Sequence, residues 1–278
     1  PHLFKQVAGE VAHRCLGSLN PQVLSNIVWA YATAKVSHPL LFDRLVGAAI
    51  ARKHELSPQE VSNILWSYSA SGIVESSLFA AMAPRVMTLL KHCSCQHIAN
   101  IAWSYAVANV DSHGLFNKPF TNALLERMDS FNVAQFSQLY QWHIWQKEEN
   151  SYTGLPLVFE RRCYEVFTSL NPTISLLQRN VSSVLRSIDL VPKEEEVTQK
   201  GYSIDALVEV KGKKVGVEVD GPSHFIGRKP TGSTILKRRQ VANVEGIALV
   251  SVPYWEWDEL GQDLSKKQNY LRSLLGIR

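Results

Sequence analysis

The sequence predicts an α-solenoid of helical hairpins followed by a mixed α/β domain. The first half repeats with a period of 37 residues, which is marked by Trp29, Trp66 and Trp103. A fixed period of this length is typical of stacked helical hairpins. After residue 150 the period is lost, and short apolar strands alternate with helical patterns after residue 200. We therefore expect three parts: a repeat array over 1–150, a helical connector over 151–200 and a compact domain over 201–278.

Composition and charge exclude several classes of protein. The chain has 278 residues, of which 45% are hydrophobic and 19% are charged, so a disordered or collagen-like chain is not expected. Its 29 basic and 25 acidic residues leave a net charge of +4, which alone does not indicate a nucleic-acid partner. No apolar run reaches the roughly 18 residues that a membrane helix needs. We therefore expect a soluble protein without a membrane partner.

The four cysteines, at positions 15, 93, 95 and 163, do not form the spacing of a disulfide framework. Their usage favours a reducing compartment. The stretch His-Cys-Ser-Cys-Gln-His at 92–97 contains metal-ligand residue types, but no second cysteine pair completes a set of four ligands. We expect these residues to be ordinary cap and core residues.

Each repeat is predicted to be a pair of helices. Residues 20–31 return as 57–68 and 94–105, and a degraded fourth copy begins at Asn132. The copies start with good helix-capping residues, and two of them have proline at the first helical position. These residues are Asn20, Ser57, Ser94 and Asn132, with Pro21 and Pro58. Apolar residues spaced three and four apart then form one buried face, so neighbouring hairpins must stack.

The opposite face of each first helix carries a second periodic feature. Because a helix turns by about 100° per residue, two amides, one tryptophan and one further residue fall on a single stripe in each copy. This stripe consists of Gln22, Asn26, Trp29 and Thr33, then Gln59, Asn63, Trp66 and Ala70, then Gln96, Asn100, Trp103 and Val107. Amides can bind base edges and indoles can stack on bases, which suits RNA recognition. The alternative is packing between repeats; we favour it for the tryptophans and leave both interpretations open for the amides.

The pattern after residue 150 predicts a mixed sheet covered by helices. Helices are expected at about 157–170 and 174–188, ahead of an acidic run at 194–196. Alternation then predicts a β-hairpin, with strands over 202–210 and 213–219 and a turn at Lys211-Gly212. A basic helix from about 233, an apolar strand over 247–252 and a helix from about 263 follow.

Two family resemblances rest on these residues. The Asn-Ile-x-Trp-x-Tyr core of the repeats, over residues 19 to about 145, resembles the heptatricopeptide and octotricopeptide repeats of organellar RNA-binding proteins. Residues 202–260 resemble a RAP domain, with the motif Glu-Val-Asp-Gly-Pro-Ser-His-Phe at 218–225. The resemblance implies an RNA factor of mitochondria or plastids that acts in transcript processing, stability, translation or ribosomal RNA assembly.

The RAP fold is in turn similar to the PD-(D/E)xK nucleases, which implies a candidate catalytic site. Such enzymes hold a divalent metal ion between an Asp and a Glu on neighbouring strands and use a nearby Lys. Asp205 and Glu218 match the two carboxylates, but Asp220 stands where the lysine is expected. Lys237 could supply the missing cation, and His224 could act as a base. We expect a non-catalytic site with no cofactor and no metal ion; Mg²⁺ at Asp205 and Glu218 belongs to the alternative of a metal-dependent RNA endonuclease.

The segment that follows the motif favours phosphate binding. No acidic residue occurs between Asp220 and Glu245, whereas the stretch holds five lysines and arginines. The expected RNA-contacting residues here are His224, Arg228, Lys229, Lys237, Arg238 and Arg239. The alternatives are a solvated helix face and a protein-docking scaffold that does not contact RNA.

We therefore predict an organellar RNA-binding protein without catalysis of its own. Three to four repeats are too few to specify an RNA site if each contacts about one base. The expected setting is a larger ribonucleoprotein such as a mitochondrial ribosome. Its expected partners are ribosomal RNA or an organellar transcript, together with ribosomal or other ribonucleoprotein proteins. The expected location is the mitochondrion, with the plastid as the alternative.

Overall fold

The computed structural model of the protein describes residues 2–13, 19–148, 155–169 and 173–277. The chain forms two compact units. The first comprises Pro1–Phe167 and Phe225–Leu236, and the second comprises Thr168–His224 and Lys237–Arg278. A short piece of the carboxyl-terminal region thus belongs to the first unit. The domain boundaries expected at residues 150 and 200 remain predictions.

The first unit contains the predicted helical hairpins. Its helices are α1 (His2–His13), α2 (Pro21–Thr33), α3 (Pro39–Ala51), α4 (Pro58–Ala70), α5 (Ser76–Leu89), α6 (Cys95–Ala108), α7 (Lys118–Leu125), α8 (Val133–Glu148) and α9 (Leu157–Thr168). The first helices of successive repeats, α2, α4, α6 and α8, pack side by side, and α1, α3 and α5 form a second layer. This two-layer stack is an α-solenoid, as predicted.

Local capping explains where the first helices begin. Asn20 Oδ1 accepts a hydrogen bond from the Val23 backbone N–H at 2.8 Å. Ser57 and Glu60 form the predicted capping box, in which each side chain accepts a bond from the other residue's backbone N–H. Ser94 forms a further box with His97, whose ring takes the role usually held by Glu or Gln. These bonds satisfy N–H groups that the first helical turn leaves without a partner.

A repeated Tyr–Phe contact joins neighbouring hairpins. The Tyr68 hydroxyl donates to the Phe42 carbonyl at 2.6 Å, and their rings meet edge to face at 5.0 Å. Tyr105 makes the same contacts with Phe79, with a hydrogen bond of 2.8 Å and rings 4.9 Å apart. Burial raises the pKa of both hydroxyls, so they remain protonated donors. Tyr31 likewise donates to the carbonyl of Phe4, so α1 corresponds to the second helix of a hairpin.

The carboxyl-terminal region contains the predicted mixed sheet. Its remaining elements are α10 (Leu176–Arg186), β1 (Lys193–Val197), β2 (Ser203–Val210), β3 (Lys213–Asp220), β4 (Phe225–Ile226), β5 (Lys229–Pro230), α11 (Gly232–Glu245), β6 (Ala248–Pro253), α12 (Tyr254–Glu259) and α13 (Leu264–Leu275). The main sheet has the order β1-β2-β3-β6, antiparallel except for the parallel pair β3–β6. The predicted fold class, helical repeats followed by a mixed α/β domain, is confirmed.

One face of this sheet forms an apolar core with α10 and α13. Its buried members are Val181, Val184, Leu185, Ile188, Ala206, Val208, Val210, Val217, Val219, Val252, Trp257, Leu271 and Leu275. Complete burial of such a side chain stabilises the fold by roughly 1.5–3 kcal/mol. The hairpin turn has positive φ at Lys211 and Gly212, 52° and 75°, which matches the tight turn expected there.

Two elements differ from the sequence prediction. No strand was expected at the acidic run 194–196, yet it lies in β1, which pairs with β2 along the edge of the sheet. Charged residues are acceptable there because an edge strand is open to solvent on one side. Residues 254–259, to which the sequence analysis assigned no element, form the short helix α12. The predicted helix over 157–170 ends at Thr168, and residue 170 lies outside the described residues.

Among the described residues, none of the helices has the length and apolar character required to span a membrane.

Cys93 and Cys163 are buried free thiols, and burial raises their pKa to about 11 and about 12. Such thiols stay protonated at neutral pH and are poor nucleophiles and poor metal ligands. Cys15 lies outside the described residues.

Candidate functional site

The three carboxylates singled out in the sequence lie near the ends of β2 and β3. Ala206 pairs with Val217, and Asp205 and Glu218 come directly beyond this pair. Side chains alternate along a strand, so Glu218 and Asp220 project from the same face of β3. The Asp205 carboxylate accepts a hydrogen bond from the Val219 backbone N–H at 2.7 Å. The Asp205 side chain thus accepts a hydrogen bond from a backbone N–H group of β3 just beyond the last β2–β3 residue pair.

Glu218 is paired with Lys237 of α11. Lys237 Nζ lies 2.5 Å from Glu218 Oε2, and the glutamate is only 3% exposed. Its second carboxylate oxygen, Oε1, is buried and has no hydrogen-bond partner among the described residues. Burial raises the pKa of Glu218 to about 7, since the charged form loses its hydration; Lys237 opposes this rise. Near neutral pH the side chain therefore exchanges between a carboxylic acid and a carboxylate paired with Lys237.

Asp220 holds a denser set of contacts. Arg238 Nη2 donates to Asp220 Oδ2 at 2.6 Å, and the Ser251 hydroxyl donates to the same oxygen at 2.5 Å. The Arg238 nitrogen also donates to Ser251 Oγ at 2.7 Å. His224 Nδ1 lies 3.2 Å from the other carboxylate oxygen, Oδ1. Asp220 is 1% exposed, so its charge is balanced inside the protein instead of by water.

Ser251 is a member of this site that sequence reasoning missed. It lies in β6, one strand away from Asp220, and pairs with Glu218 in the parallel ladder. Its signal in the sequence was a single hydroxyl within the apolar run 247–252. That signal could not be interpreted without the strand order, because nothing local connects positions 220 and 251.

The carboxylates do not fit the divalent metal ion that the nuclease resemblance implies. A metal ion needs several carboxylate oxygens directed at one point. Here Glu218 Oε2 faces Lys237, Asp220 Oδ2 faces Arg238, and Asp205 binds a backbone N–H. In the described parts of the chain, no group of three His, Cys, Asp or Glu side chains is placed to hold a metal ion. The arrangement is an ion-paired network that joins α11 to β3 and β6.

The cations of the acid-free stretch have different surroundings. Lys237 and Arg238 have side chains 24% and 31% exposed and face buried carboxylates, so much of their charge is compensated. Arg228 and Lys229, in the turn and strand between β4 and α11, are exposed. Arg239 is half-buried, and His224 has a side chain 42% exposed. Of the predicted phosphate-contacting residues, Arg228 and Lys229 are the most open to solvent.

The asparagine and tryptophan positions of the stripe become progressively more buried along the array, whereas the glutamine position is exposed in all three repeats. In the third repeat, Asn100 is 8% exposed, and its side chain bonds Gln96, Gln138 and Ser62 at 2.8, 3.1 and 3.4 Å. In the second repeat, Asn63 and Trp66 are half-buried and Gln59 is exposed. In the first repeat, Gln22 and Asn26 are exposed. The structure therefore uses the third-repeat amides for packing between repeats and leaves those of the first repeat open.

The segment Phe225–Leu236 packs against the array within the first unit. A Cβ atom added to Gly232 would lie 1.9 Å from the Ser69 carbonyl oxygen and 2.9 Å from Val107 Cγ1. A Cβ atom added to Gly72, which follows α4 and has φ of +66°, would lie 3.0 Å from the Pro230 carbonyl oxygen. Val107 belongs to the stripe, so this segment covers part of the stripe in the third repeat.

Comparisons with known proteins agree with this architecture. Residues 217–274 match the family model of the RAP domain. A RAP domain-containing protein, chloroplastic, from Oryza sativa subsp. japonica is 26% identical over 181 residues, which cover 59% of this chain. The chain matches 28% of that relative's length. RAP domains generally bind RNA. Residues 217–274, which include Glu218, Asp220 and both of their cationic partners, therefore carry a RAP domain, as the sequence predicts.

Proposed function

We propose that this protein is an organellar RNA-binding protein that holds RNA without cutting it. The observation that carries the proposal is the ion pairing of Glu218 with Lys237 and of Asp220 with Arg238, inside a domain whose relatives generally bind RNA. A hydrolytic site would need these oxygens for a metal ion and water. Here they hold a helix against a sheet.

Phosphate contacts are assigned to the exposed cations. Arg228 and Lys229 are exposed and lie in a stretch of sequence without acidic residues. Phosphate contacts from Lys and Arg supply most sequence-independent affinity for RNA. Lys237 and Arg238 act indirectly in this proposal, because they fix the position of α11.

The proposed setting is a ribonucleoprotein in which this chain is one of several RNA-contacting components. The net charge of +4 is modest for a free RNA binder. Ribosomal RNA or an organellar transcript is the proposed ligand. The name of the rice relative supports the plastid, and the mitochondrion remains a proposed location that this relative does not favour.

A charge-reversal experiment tests the phosphate contacts. Arg228→Glu/Lys229→Glu is compared with Lys213→Glu/Lys214→Glu, whose two lysines are also exposed but lie at the start of β3. Binding to a fluorescent single-stranded RNA is measured from about 50 to 300 mM salt. The first variant is expected to bind more weakly and to reduce the salt slope by about 0.7 for each phosphate that the protein no longer neutralises. Equal effects of the two variants, or no RNA binding by the wild type, would overturn the proposal.

The second candidate, a metal-dependent RNA endonuclease, is favoured by one observation. The buried Oε1 of Glu218 has no hydrogen-bond partner in the described parts of the chain, so it could accept a ligand. Incubation of the wild type and Glu218→Gln with RNA and Mg²⁺ separates the two functions. The binding proposal expects no cleavage by either protein, whereas cleavage by the wild type that Glu218→Gln abolishes would establish the nuclease.

A further inference from the structure

A cavity of about 430 Å³ lies within the first unit, beside the loops that join the helices of the first two hairpins. Its walls come from the α2–α3 loop, the start of α3, the α4–α5 loop and the segment Phe225–Leu236. This segment approaches the α4–α5 loop closely, since a Cβ atom added to Gly72 would lie 3.1 Å from Ile235 Cδ1. The volume lies within the roughly 300–1,000 Å³ of ordinary ligand pockets.

Apolar side chains form much of the cavity lining. They belong to Pro39, Phe42, Ile73, Ile226, Pro230 and Ile235. Two strongly exposed apolar residues directly follow lining residues in the sequence: Leu40, which is 74% exposed, and Val74, which is 52% exposed. Exposed apolar surface beside a cavity is available to the apolar part of a ligand.

Two carboxylates, those of Asp43 and Glu75, line the same cavity. Glu75 precedes the first turn of α5 and is half-buried, yet its side chain makes no capping hydrogen bond. Burial is the main cause of the raised pKa of Tyr68, and the charges of Glu75 and Asp43 raise it further, so both carboxylates act on one hydroxyl. Lys229 also lines the cavity, but no ion pair joins either carboxylate to a cation among the residues that the structure describes. The lining therefore holds two negative charges against one positive charge.

These groups are complementary to the side chain of an arginine. A guanidinium group is planar, carries five N–H donors and binds carboxylates through paired hydrogen bonds. Its aliphatic stem can cover apolar surface while the charged end meets the carboxylates. An RNA phosphate would instead meet like charges at Asp43 and Glu75. A protein segment that carries arginine beside apolar residues supplies both the opposite charge and a contact for Leu40 and Val74.

We propose that this cavity binds an arginine side chain from a basic, amphipathic segment of a partner protein. The guanidinium group pairs with Asp43 and Glu75, and neighbouring apolar residues of the segment pack on Leu40 and Val74. The cavity is thus a protein-docking surface, which the proposed RNA-binding function does not include. Because docking does not require RNA binding, the two proposals can fail independently.

The experiment measures how tightly the full chain binds a fluorescent peptide in which arginine and leucine alternate. A second peptide has citrulline in place of each arginine, which keeps the shape of the side chain and removes its charge. The cavity variant, Asp43→Asn/Glu75→Gln, is compared with the control variant Glu126→Gln/Asp129→Asn, which removes two exposed charges elsewhere in the array. We expect the wild type to bind the arginine peptide at least about 10-fold more tightly than the citrulline peptide. The cavity variant should lose about 10-fold in affinity for the arginine peptide, and the control variant should stay within about twofold of the wild type.

A loss of affinity confined to the cavity variant and to the arginine peptide supports the docking site. Equal losses in the two variants indicate general charge attraction and overturn it, as do equal binding of the two peptides and absence of peptide binding by the wild type. Single-stranded RNA should bind both variants equally, because each removes two negative charges. Weaker RNA binding by the cavity variant than by the control variant identifies RNA as the occupant and also overturns the inference. If the wild type binds the arginine peptide as expected but binds no RNA, the docking site stands and the proposed RNA-binding function fails.

Discussion

Lys237 Nζ lies 2.5 Å from Oε2 of Glu218, a residue that is 3% exposed near the end of β3. The contact joins α11 to β3, and no other residue that the structure describes makes a hydrogen bond to the second, buried oxygen of Glu218. A buried carboxylate with one charged partner is sensitive to removal of that partner and to pH. The first two predictions concern these two properties.

Removal of the cation should destabilise the protein. Lys237→Met leaves Glu218 buried without a counter-charge, and we expect a loss of roughly 1–4 kcal/mol in the free energy of unfolding at pH 8. Part of the cost disappears at pH 6, because Glu218 can take up a proton. Urea titrations at both pH values measure the effect. The double variant Glu218→Gln/Lys237→Met is the control and should lose less than Lys237→Met alone.

The raised pKa of Glu218 also predicts how stability depends on pH. Its folded-state pKa of about 7 lies above the ordinary value of 4.5, so the folded state binds this proton more tightly than the unfolded state. The stability from this group is complete below about pH 4.5 and is lost as the pH rises through 7. Relative to Glu218→Gln, the wild type should therefore lose about 2–3 kcal/mol of unfolding free energy as the pH rises from 4.5 to 8. A constant difference over this range contradicts the prediction.

The contact of Gly232 with the array should not tolerate a methyl group. In Gly232→Ala the new Cβ meets a backbone carbonyl, that of Ser69, which cannot rotate away. We expect a loss of about 1–3 kcal/mol or more, from overpacking. Gly47→Ala is the control, since Gly47 lies inside α3 with open space around it and should gain roughly 0.4–1 kcal/mol. Thermal unfolding of both variants checks the prediction, and equal melting temperatures would contradict it.

The stripe asparagines should contribute to stability only in the repeats where they are buried. Asn100→Ala removes bonds to Ser62 and Gln138 inside the array and should cost about 1–3 kcal/mol. Asn26→Ala changes an exposed amide and should stay within about 0.5 kcal/mol of the wild type. Chemical denaturation of the two variants provides the measurement. Similar losses at both positions would show that Asn26 is also part of the packing.

Much of the helical architecture could be predicted because its signals are local. Caps such as Ser57 with Glu60 act within one helical turn, so the sequence marks where a helix begins. The 37-residue period required stacking, because a lone hairpin cannot bury its apolar faces. The β2–β3 hairpin was likewise visible from alternation and from the Lys211-Gly212 turn. The strand β1 could not be predicted, because its acidic residues are not typical of a strand and its pairing depends on β2.

The sequence by itself determined the two architectures, the helix starts and the presence of three carboxylates and a basic segment. Only the tertiary structure decided which of those charged residues form ion pairs and which stripe residues are exposed. Lys237 and Arg238 are predicted phosphate contacts in the sequence, and only the packing of α11 on β3 shows that they also pair with Glu218 and Asp220. Trp29 and Trp103 were indistinguishable until residues far along the chain covered one and left the other open. The physical reason is that exposure and ion pairing depend on neighbours that are distant in sequence, whereas caps and periodicity depend on residues only a few positions apart.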